Sequence, residues 1–268
     1  MRTISVLIAA FRARRWLGDC LDAVFAQPLP AGWRLQVLLG VDGCDDTLDY
    51  IGTAPYPALQ KVHLRRNRGT YVTFNTLMQY AEGDLIARFD ADDVMLDGYL
   101  RRHIEAQEEG ADLTFSWSVY TDEDLRPTSS IPALPDYRPE SGHLRKGSHG
   151  QFVAKRHVWE RLGGFRAWPC GADTEFLIRA EVAGFRKAVL EEFLYLRRTH
   201  RGSLTAHPET NYESNTRMRL QNLTIQYREE YKAGMRSVAV ESEVEPSAIL
   251  LRPEAVAIPT SPYACPVP

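Results

Sequence analysis

Apolar and polar positions along the first hundred residues form two patterns, short continuous apolar runs and longer segments with helical spacing. The apolar runs, which predict strands, cover 4–10, 35–41, 62–64 and 85–89. The helical patterns between them cover 16–25 and 71–81. Near-continuous apolar strands that alternate with helices are typical of a parallel sheet covered on both faces. We therefore expect an α/β fold with a mostly parallel central sheet flanked by helices.

The pattern is less regular after residue 98. Helical spacing recurs at 99–108, 158–162, 174–183 and 212–232, and apolar runs predict strands at 112–120 and 193–196. Prolines interrupt 127–139, which predicts a loop-rich second half. The last 28 residues contain six prolines, so we expect an extended or disordered tail at 241–268 after a C-terminal helical segment at 206–240.

The composition excludes several classes of protein. A chain of 268 residues with a formal net charge of -3 has no overall field that would attract nucleic acid or an anionic membrane. Four cysteines without a CxxC pair indicate neither a zinc site nor a disulfide framework, which favours the cytoplasm. No apolar run approaches the ~20 residues of a membrane span. We expect a cytoplasmic protein and leave open peripheral attachment to the inner face of the membrane.

Acidic residues follow two of the predicted strands. Asp42 comes directly after the second strand, and the motif Asp90-Ala91-Asp92-Asp93 follows the strand at 85–89. Ligands of open α/β sheets bind outside the carboxyl ends of the strands, so both groups face one crevice. Three carboxylates within four residues repel one another unless a cation or a set of donors compensates them, and Mg²⁺ or Mn²⁺ with a diphosphate meets that need. The alternative is a solvated turn in which Asp97 caps the next helix.

Seven short motifs occur along the chain in a fixed order. They are ISVLIAAF (4–11), VDGCDDT (41–47), NRG (67–69), GDLIARFDADD (83–93), GGF (163–165), CGADTEF (170–176) and YLRRTHRGS (195–203). Together they resemble the GT-A fold family 2 glycosyltransferases over about residues 3–205. The resemblance implies transfer of a sugar from a nucleotide diphosphate, UDP-sugar most often, with inversion at the anomeric carbon. It also implies a catalytic domain at 1–205, with a nucleotide-binding half at 1–98 and an acceptor-binding half at 99–205.

The resemblance assigns a donor site to residues of the first half. Ala9, Ala10 and Phe11 would line the nucleotide slot. Asp42 would accept hydrogen bonds from the base, or alternatively would satisfy backbone N–H groups of its own turn. The other donor contacts that the resemblance implies are Asn67, Arg68, Gly69, Asp90, Ala91 and Asp92.

Metal binding and base catalysis also follow from the resemblance. Asp92 and His200 would hold Mn²⁺ or Mg²⁺, and imidazole suits Mn²⁺ better than Mg²⁺. Asp173 would be the catalytic base, although relatives usually have Glu-Asp where this chain has Ala172-Asp173. One carboxylate is enough to take the proton of an acceptor hydroxyl. The alternative role for Asp173 is that of a helix N-cap.

Acceptor contacts are expected from Trp168, whose aromatic face can pack on a sugar, and from Glu175, two residues after the base. A position in the core is the alternative for Trp168. The expected partners are a nucleotide-sugar donor and a glycan, lipid-linked, protein or small-molecule acceptor. The helix at 212–231 offers a face for pairing with a second copy of the chain.

Three other activities compete with this interpretation. The missing acid at Ala172 favours a non-catalytic sugar-nucleotide binding module. A nucleotidyltransferase would carry a Gly-rich phosphate loop near the first strand, and no such loop occurs between Ile8 and Trp16. A phosphohydrolase of the aspartyl-phosphate type needs a suitably placed lysine, and the few lysines of this chain show no such placement.

Overall fold

The computed structural model describes residues 1–129, 144–145 and 150–251. Its strands are β1 (Arg2–Ala10), β2 (Trp33–Asp42), β3 (Leu59–Leu64), β4 (Leu85–Asp90), β5 (Val94–Met95), β6 (Leu113–Thr121), β7 (Leu144–Arg145), β8 (Phe152–Lys155), β9 (Lys187–Arg198) and β10 (Ile249–Leu251). Its helices are α1 (Leu17–Phe25), α2 (Asp45–Thr53), α3 (Thr70–Met78), α4 (Tyr99–Glu108), α5 (Arg156–Leu162), α6 (Ala172–Val182) and α7 (Asn215–Lys232).

One sheet runs through the described part of the chain, in the strand order β10-β3-β2-β1-β4-β8-β6-β9-β5, with β7 beside β6. The pairs β3-β2, β2-β1, β1-β4 and β6-β9 are parallel and include the longest strands. Strands β5, β7, β8 and β10 pair antiparallel to their neighbours and are short. The expected α/β class, with a mostly parallel sheet flanked by helices, is confirmed.

Strand β1 lies between β2 and β4 in the parallel part of the sheet, and its side chains are buried on both faces. Ile4, Val6 and Ile8 pack into one apolar layer, which α1 and α4 cover. Leu7 packs into the other layer, which α3, α5 and α6 cover. Because neither face of β1 is exposed to solvent, helices must cover both sides of the sheet, which is the arrangement that the apolar runs predicted.

The parallel register brings the carboxyl ends of three strands together. Ala9, at the end of β1, lies opposite Gly40 of β2 and Asp90 of β4. The residues that follow β2 and β4 therefore share one edge of the sheet, as the two acidic motifs predicted. This edge is called the carboxyl edge below.

Several short elements were not predicted. Helix α2 follows the acidic turn directly, and only Thr47 and Ile51 are buried in it, so its apolar periodicity is brief. Strands β5, β8 and β10 have two to four residues, which is too few for a periodic pattern. Helix α7 begins at Asn215 instead of 212, because the Ser214 side chain caps it by accepting a hydrogen bond from the backbone N–H of Arg217.

The two proline-rich stretches lie only partly within the described residues. Residues 241–248 contain no helix and lead into β10, while 252–268 and 130–139 lie outside the described residues. The alternative in which Asp97 caps α4 is wrong, because Gly98, with φ of 79°, occupies the cap position without a side-chain bond. Among the described helices, none has the length and apolar character needed to cross a bilayer.

Candidate active site

Asp42 ends β2 and holds the neighbouring turn. Its two carboxylate oxygens accept backbone N–H bonds from Arg68 and Gly69, at 2.7 and 2.9 Å. Burial raises the pKa of Asp42, and the two backbone N–H groups act in the opposite direction. The side chain is only 2% exposed, and its contact with a base stays a prediction. The alternative is the one observed: Asp42 satisfies backbone N–H groups and positions the turn.

The turn at 66–69 packs closely against the end of β2. A Cβ at Gly43, where φ is 60°, would lie 2.1 Å from the backbone nitrogen of Asn67, so only glycine permits this approach. Asn67 is exposed at the tip of the turn. Gly69 precedes α3 with φ of 86°.

The arginines of this turn are paired with the C-terminal part of the chain, which the sequence did not indicate. Arg68 forms ion pairs with Glu243 and, at 3.4 Å, with Glu245. Glu245 also lies 3.8 Å from Arg66. A diphosphate that contacted Arg68 at this edge would compete with two glutamates. We call residues 238–251, which cross α3 and end in β10, the C-terminal strap.

The acidic motif after β4 brings three carboxylates together. Asp90, Asp92 and Asp93 each offer an oxygen, and these atoms lie within 4.8 Å of one another. Asp93 is buried, and its oxygens accept from the Gln151 side chain at 2.5 Å and the Arg198 backbone at 2.9 Å. Burial raises the pKa values of Asp90 and Asp93, and the neighbouring carboxylates raise them further.

Asp92 and His200 form the more open part of this cluster. His200 Nε2 lies 2.8 Å from an Asp92 carboxylate oxygen, and the Asp92 side chain is 25% exposed. The imidazole stacks on Trp16, with ring centroids 3.8 Å apart, and its Nδ1 accepts the backbone N–H of Gly202. These two contacts fix the ring so that Nε2 points at the carboxylate.

The donor set of the cluster fits a divalent cation. Carboxylate oxygens suit Mg²⁺ and Mn²⁺ alike, and the imidazole nitrogen favours Mn²⁺. Asp92 and His200 are therefore the residues that could hold the ion, with Asp90 beside them. The oxygens of Asp93 are already engaged by protein donors.

Two further polar residues, Arg88 and Gln151, surround the acids, and the role of Arg88 was missed in the sequence. Arg88 is 4% exposed and meets Asp90 with both terminal nitrogens, at 3.0 and 2.8 Å. It also donates to the Gly150 carbonyl and to the Gln151 side chain. Gln151 in turn donates to Asp90 and Asp93. The signal for Arg88 was a single basic residue inside a run that otherwise predicts a buried strand.

Asp173 lies half-buried in the first turn of α6, where the resemblance placed the catalytic base. One of its oxygens, Oδ1, accepts the Tyr71 hydroxyl at 3.1 Å and the Thr174 backbone N–H at 2.9 Å. The cap position of α6 belongs to Gly171, with φ of 76°, and no side chain caps the helix. The alternative in which Asp173 serves as N-cap is therefore wrong.

The two residues expected to contact an acceptor, Trp168 and Glu175, differ in burial. Glu175 is fully buried and bonded to Arg166, Arg179 and Tyr231, so the expectation that it touches an acceptor is corrected. Side chains two apart on a helix point about 200° away from each other, so Glu175 faces the interior when Asp173 faces the crevice. Trp168 is half-buried and packs against Tyr227 of α7, with ring centroids 6.2 Å apart, and its contact with an acceptor stays a prediction.

The remaining predicted residues differ in exposure. Ala10 and Ala91 are buried, whereas Phe11 is exposed at the carboxyl edge. Arg12 follows it with a positive φ of 52°, and its backbone N–H donates to the Cys44 sulfur. A cavity of about 350 Å³ lined by Arg2, Trp33 and Glu108 lies at the opposite ends of the strands and is not part of this site.

Comparison with solved structures defines the class of the fold. The S. aureus TarS 1-349 structure in complex with UDP-GlcNAc superposes with a TM-score of 0.64 and 18% identity, covering 87% of this chain and 71% of TarS 1-349. The mannosyltransferase PcManGT from Pyrobaculum calidifontis, in complex with GDP-Man and Mn²⁺, gives a TM-score of 0.54 and 20% identity, covering 75% of this chain and 59% of PcManGT. The architecture is that of the GT-A glycosyltransferases.

The family follows from the sequence as a whole. The model of glycosyl transferase family 2 matches residues 5–194, which is more than half of the chain. The protein belongs to glycosyl transferase family 2 and is a glycosyltransferase. It is also similar to the putative glycosyltransferase EpsE of Bacillus subtilis (strain 168), with 24% identity over 210 residues, 72% of this chain and 71% of EpsE.

Proposed function

We propose that this protein is a metal-dependent, inverting glycosyltransferase that moves a sugar from a UDP-sugar to an acceptor hydroxyl. The observation that carries the proposal is the cluster of Asp90, Asp92 and Asp93 at the carboxyl edge, with His200 2.8 Å from Asp92. Arg88 binds Asp90 directly, and its charge also acts on Asp173. A donor bound at Asp92 and an acceptor held at Asp173 would meet in this crevice.

The chemistry requires one base and one stabilised leaving group. Asp173 takes the proton of the acceptor hydroxyl while that oxygen forms a bond to the anomeric carbon. The bond from this carbon to the diphosphate oxygen breaks, and its electron pair leaves with the nucleoside diphosphate. Attack from the face opposite the leaving group inverts the configuration. A Mn²⁺ or Mg²⁺ ion held by Asp92 and His200 would neutralise negative charge on the diphosphate.

The choice of donor rests on the structural relatives. TarS was solved with UDP-GlcNAc and covers more of this chain than PcManGT, which was solved with GDP-Man and Mn²⁺. We therefore propose UDP-sugars as donors, with Ala9, Phe11 and the turn at Asn67–Gly69 beside the nucleotide. Asp42 contributes by holding that turn.

Release of nucleoside diphosphate tests the proposal. The purified protein is incubated with UDP- and GDP-sugars and candidate acceptors, with Mn²⁺, with Mg²⁺ and with chelator. We expect UDP release that requires the metal, and a transferred sugar whose anomeric configuration, read by NMR, is opposite to that of the donor. Release of pyrophosphate would indicate a nucleotidyltransferase instead, and binding without turnover would indicate a binding module.

Asp173→Asn tests the role of the base. General-base catalysis contributes about 10²–10⁴-fold, so we expect turnover to fall by that factor while UDP affinity stays the same. Asp49→Asn, on the exposed surface of α2, is the control and should retain full activity. Full turnover in Asp173→Asn would contradict the assignment.

A further inference from the structure

The two carboxylate oxygens of Asp173 are not equivalent. Both hydrogen bonds that Asp173 accepts, from the Tyr71 hydroxyl and from the Thr174 backbone, reach Oδ1. No hydrogen bond from another described residue reaches Oδ2. The lone pairs of Oδ2 are therefore the ones that remain for a substrate proton.

Tyr71, which donates to this carboxylate, is a buried residue packed against the core. It lies in the first turn of α3, is buried, and packs its ring on Phe165 with centroids 5.2 Å apart. Burial raises the pKa of Tyr71 well above its usual value, and the negative charge of Asp173 raises it further. The hydroxyl therefore stays protonated and acts as a donor to Oδ1.

Arg88 is a second buried residue of this region, and it contacts the acidic cluster at Asp90. Its guanidinium lies over the Phe74 ring, 4.8 Å from the centroid, and meets both oxygens of Asp90. It interacts electrostatically with Asp173 and Tyr71 as well. A guanidinium stays charged when it is buried, so Arg88 holds a fixed positive charge against Asp90.

We propose that Tyr71 and Arg88 are positioning residues for the transfer reaction. Tyr71 fixes Oδ1 so that Oδ2 receives the acceptor proton, and Arg88 supplies a fixed positive charge beside Asp90. The inference rests on the proposed function, because it gives roles relative to a base and a donor acid. If Tyr71 and Arg88 served only the stability of the fold, their substitution would change the free energy of unfolding and leave the rate per UDP-binding site unchanged.

The test for Tyr71 is Tyr71→Phe, which removes one oxygen atom and keeps the ring. A hydrogen bond to a charged group is worth a factor of about 10–100, so we expect kcat to fall by that factor. The KM for the donor and the affinity for UDP should not change. Rates are expressed per UDP-binding site, so that any unfolded fraction does not lower kcat. Tyr80→Phe is the control, since its hydroxyl bonds the Ala248 carbonyl at 3.3 Å, away from Asp173.

The test for Arg88 compares two substitutions. Arg88→Lys keeps the positive charge and Arg88→Met removes it at similar length. At saturating donor, we expect the single-turnover rate of Arg88→Lys to exceed that of Arg88→Met by at least tenfold. Equal rates per UDP-binding site would show that the charge has no part in the reaction.

The outcomes separate this inference from the proposed function. A wild-type protein that transfers sugar, with Tyr71→Phe at the full wild-type kcat, would overturn the role of Tyr71 and leave the glycosyltransferase assignment intact. A wild-type protein that binds UDP but transfers no sugar would overturn both. A drop in kcat for Tyr71→Phe that Tyr80→Phe does not share supports the inference.

Discussion

At the scale of single residues, Asp173 and Glu175 show how far sequence reasoning reaches. The two acids lie two positions apart at the start of α6, and the motif that contains them predicted both as site residues. Asp173 is half-buried and accepts the Tyr71 hydroxyl, whereas Glu175 is buried against Arg166 and Arg179. The inward side of α6 is completed by Tyr231 of α7, 56 residues after Glu175, so the sequence could not separate the two roles.

A stability measurement distinguishes these roles. Glu175→Gln should lower the free energy of unfolding by about 3–5 kcal/mol, because it leaves the fully buried Arg179 without its partner charge. Urea unfolding at neutral pH measures the loss.

Glu181→Gln is the matched control on the same helix. The Glu181 carboxylate pairs with Lys187 and Arg228, all three side chains being substantially exposed, so we expect a loss below about 1 kcal/mol. Similar losses in the two variants would contradict a buried structural role for Glu175. A raised acceptor KM in Glu175→Gln at unchanged stability would restore its expected contact with the acceptor.

At the scale of elements, the Gly163-Gly164-Phe165 turn depends on the C-terminal strap. A Cβ at Gly163 would lie 1.9 Å from the Val240 carbonyl oxygen, and one at Gly164 would lie 2.6 Å from the Asn75 side chain. The backbone N–H of Val240 also bonds the Leu162 carbonyl. The sequence shows two glycines that end α5, but the strap that requires them lies some 75 residues further on.

Gly163→Ala should therefore destabilise the fold by more than backbone strain alone. An alanine at φ of 73° costs about 1–2 kcal/mol, and the contact with Val240 adds to this. We expect a total loss of about 3 kcal/mol or more, measured as a lower melting temperature.

The comparison for this substitution is Gly184→Ala. Gly184 has φ of 82°, close to that of Gly163, but a Cβ there would meet no atom within 4 Å. Its loss should be limited to the strain of about 1–2 kcal/mol. If both variants melt at the same temperature, the strap does not press on the Gly163 turn in solution.

At the scale of the whole molecule, the two halves of the sheet differ in how much of them the sequence predicts. Strands β1, β2 and β4 have long apolar runs, so the fold class, these strands and the carboxyl edge were predicted, although α2 was not. Strand β8 lies between β4 and β6, and β9 pairs with β5 and β6. Strands β5 and β8 are too short to show a periodic pattern, so these pairings could not be predicted from the sequence.

At the scale of the whole molecule, His103 gives one measurable part of the pH dependence of stability. Burial lowers the pKa of His103 to about 3, so the folded protein binds fewer protons there than the unfolded chain, whose imidazole titrates near 6.5. The contribution of the neutral ring is complete above pH ~6.5 and is lost as the pH falls towards 3, by at most about 1.4 kcal/mol per pH unit.

Urea unfolding of His103→Gln between pH 7 and 5 isolates this contribution. The buried carboxyls of Asp90 and Asp93 have raised pKa values and act with the opposite sign, but they are the same in both proteins. The variant should lose less stability than the wild type over this interval. Parallel slopes for wild type and His103→Gln would contradict the prediction.

Strand β10 has a consequence for how the molecule behaves beside its neighbours. It hydrogen-bonds to His63, Val62 and Lys61 along the outer side of β3, which is otherwise the last strand of the sheet. An uncovered edge strand presents a row of unpaired N–H and C=O groups, with which a strand of another molecule can pair. Shortened forms of the protein that stop before Ile249 would leave that row open, and they should self-associate at concentrations where the longer chain stays dispersed.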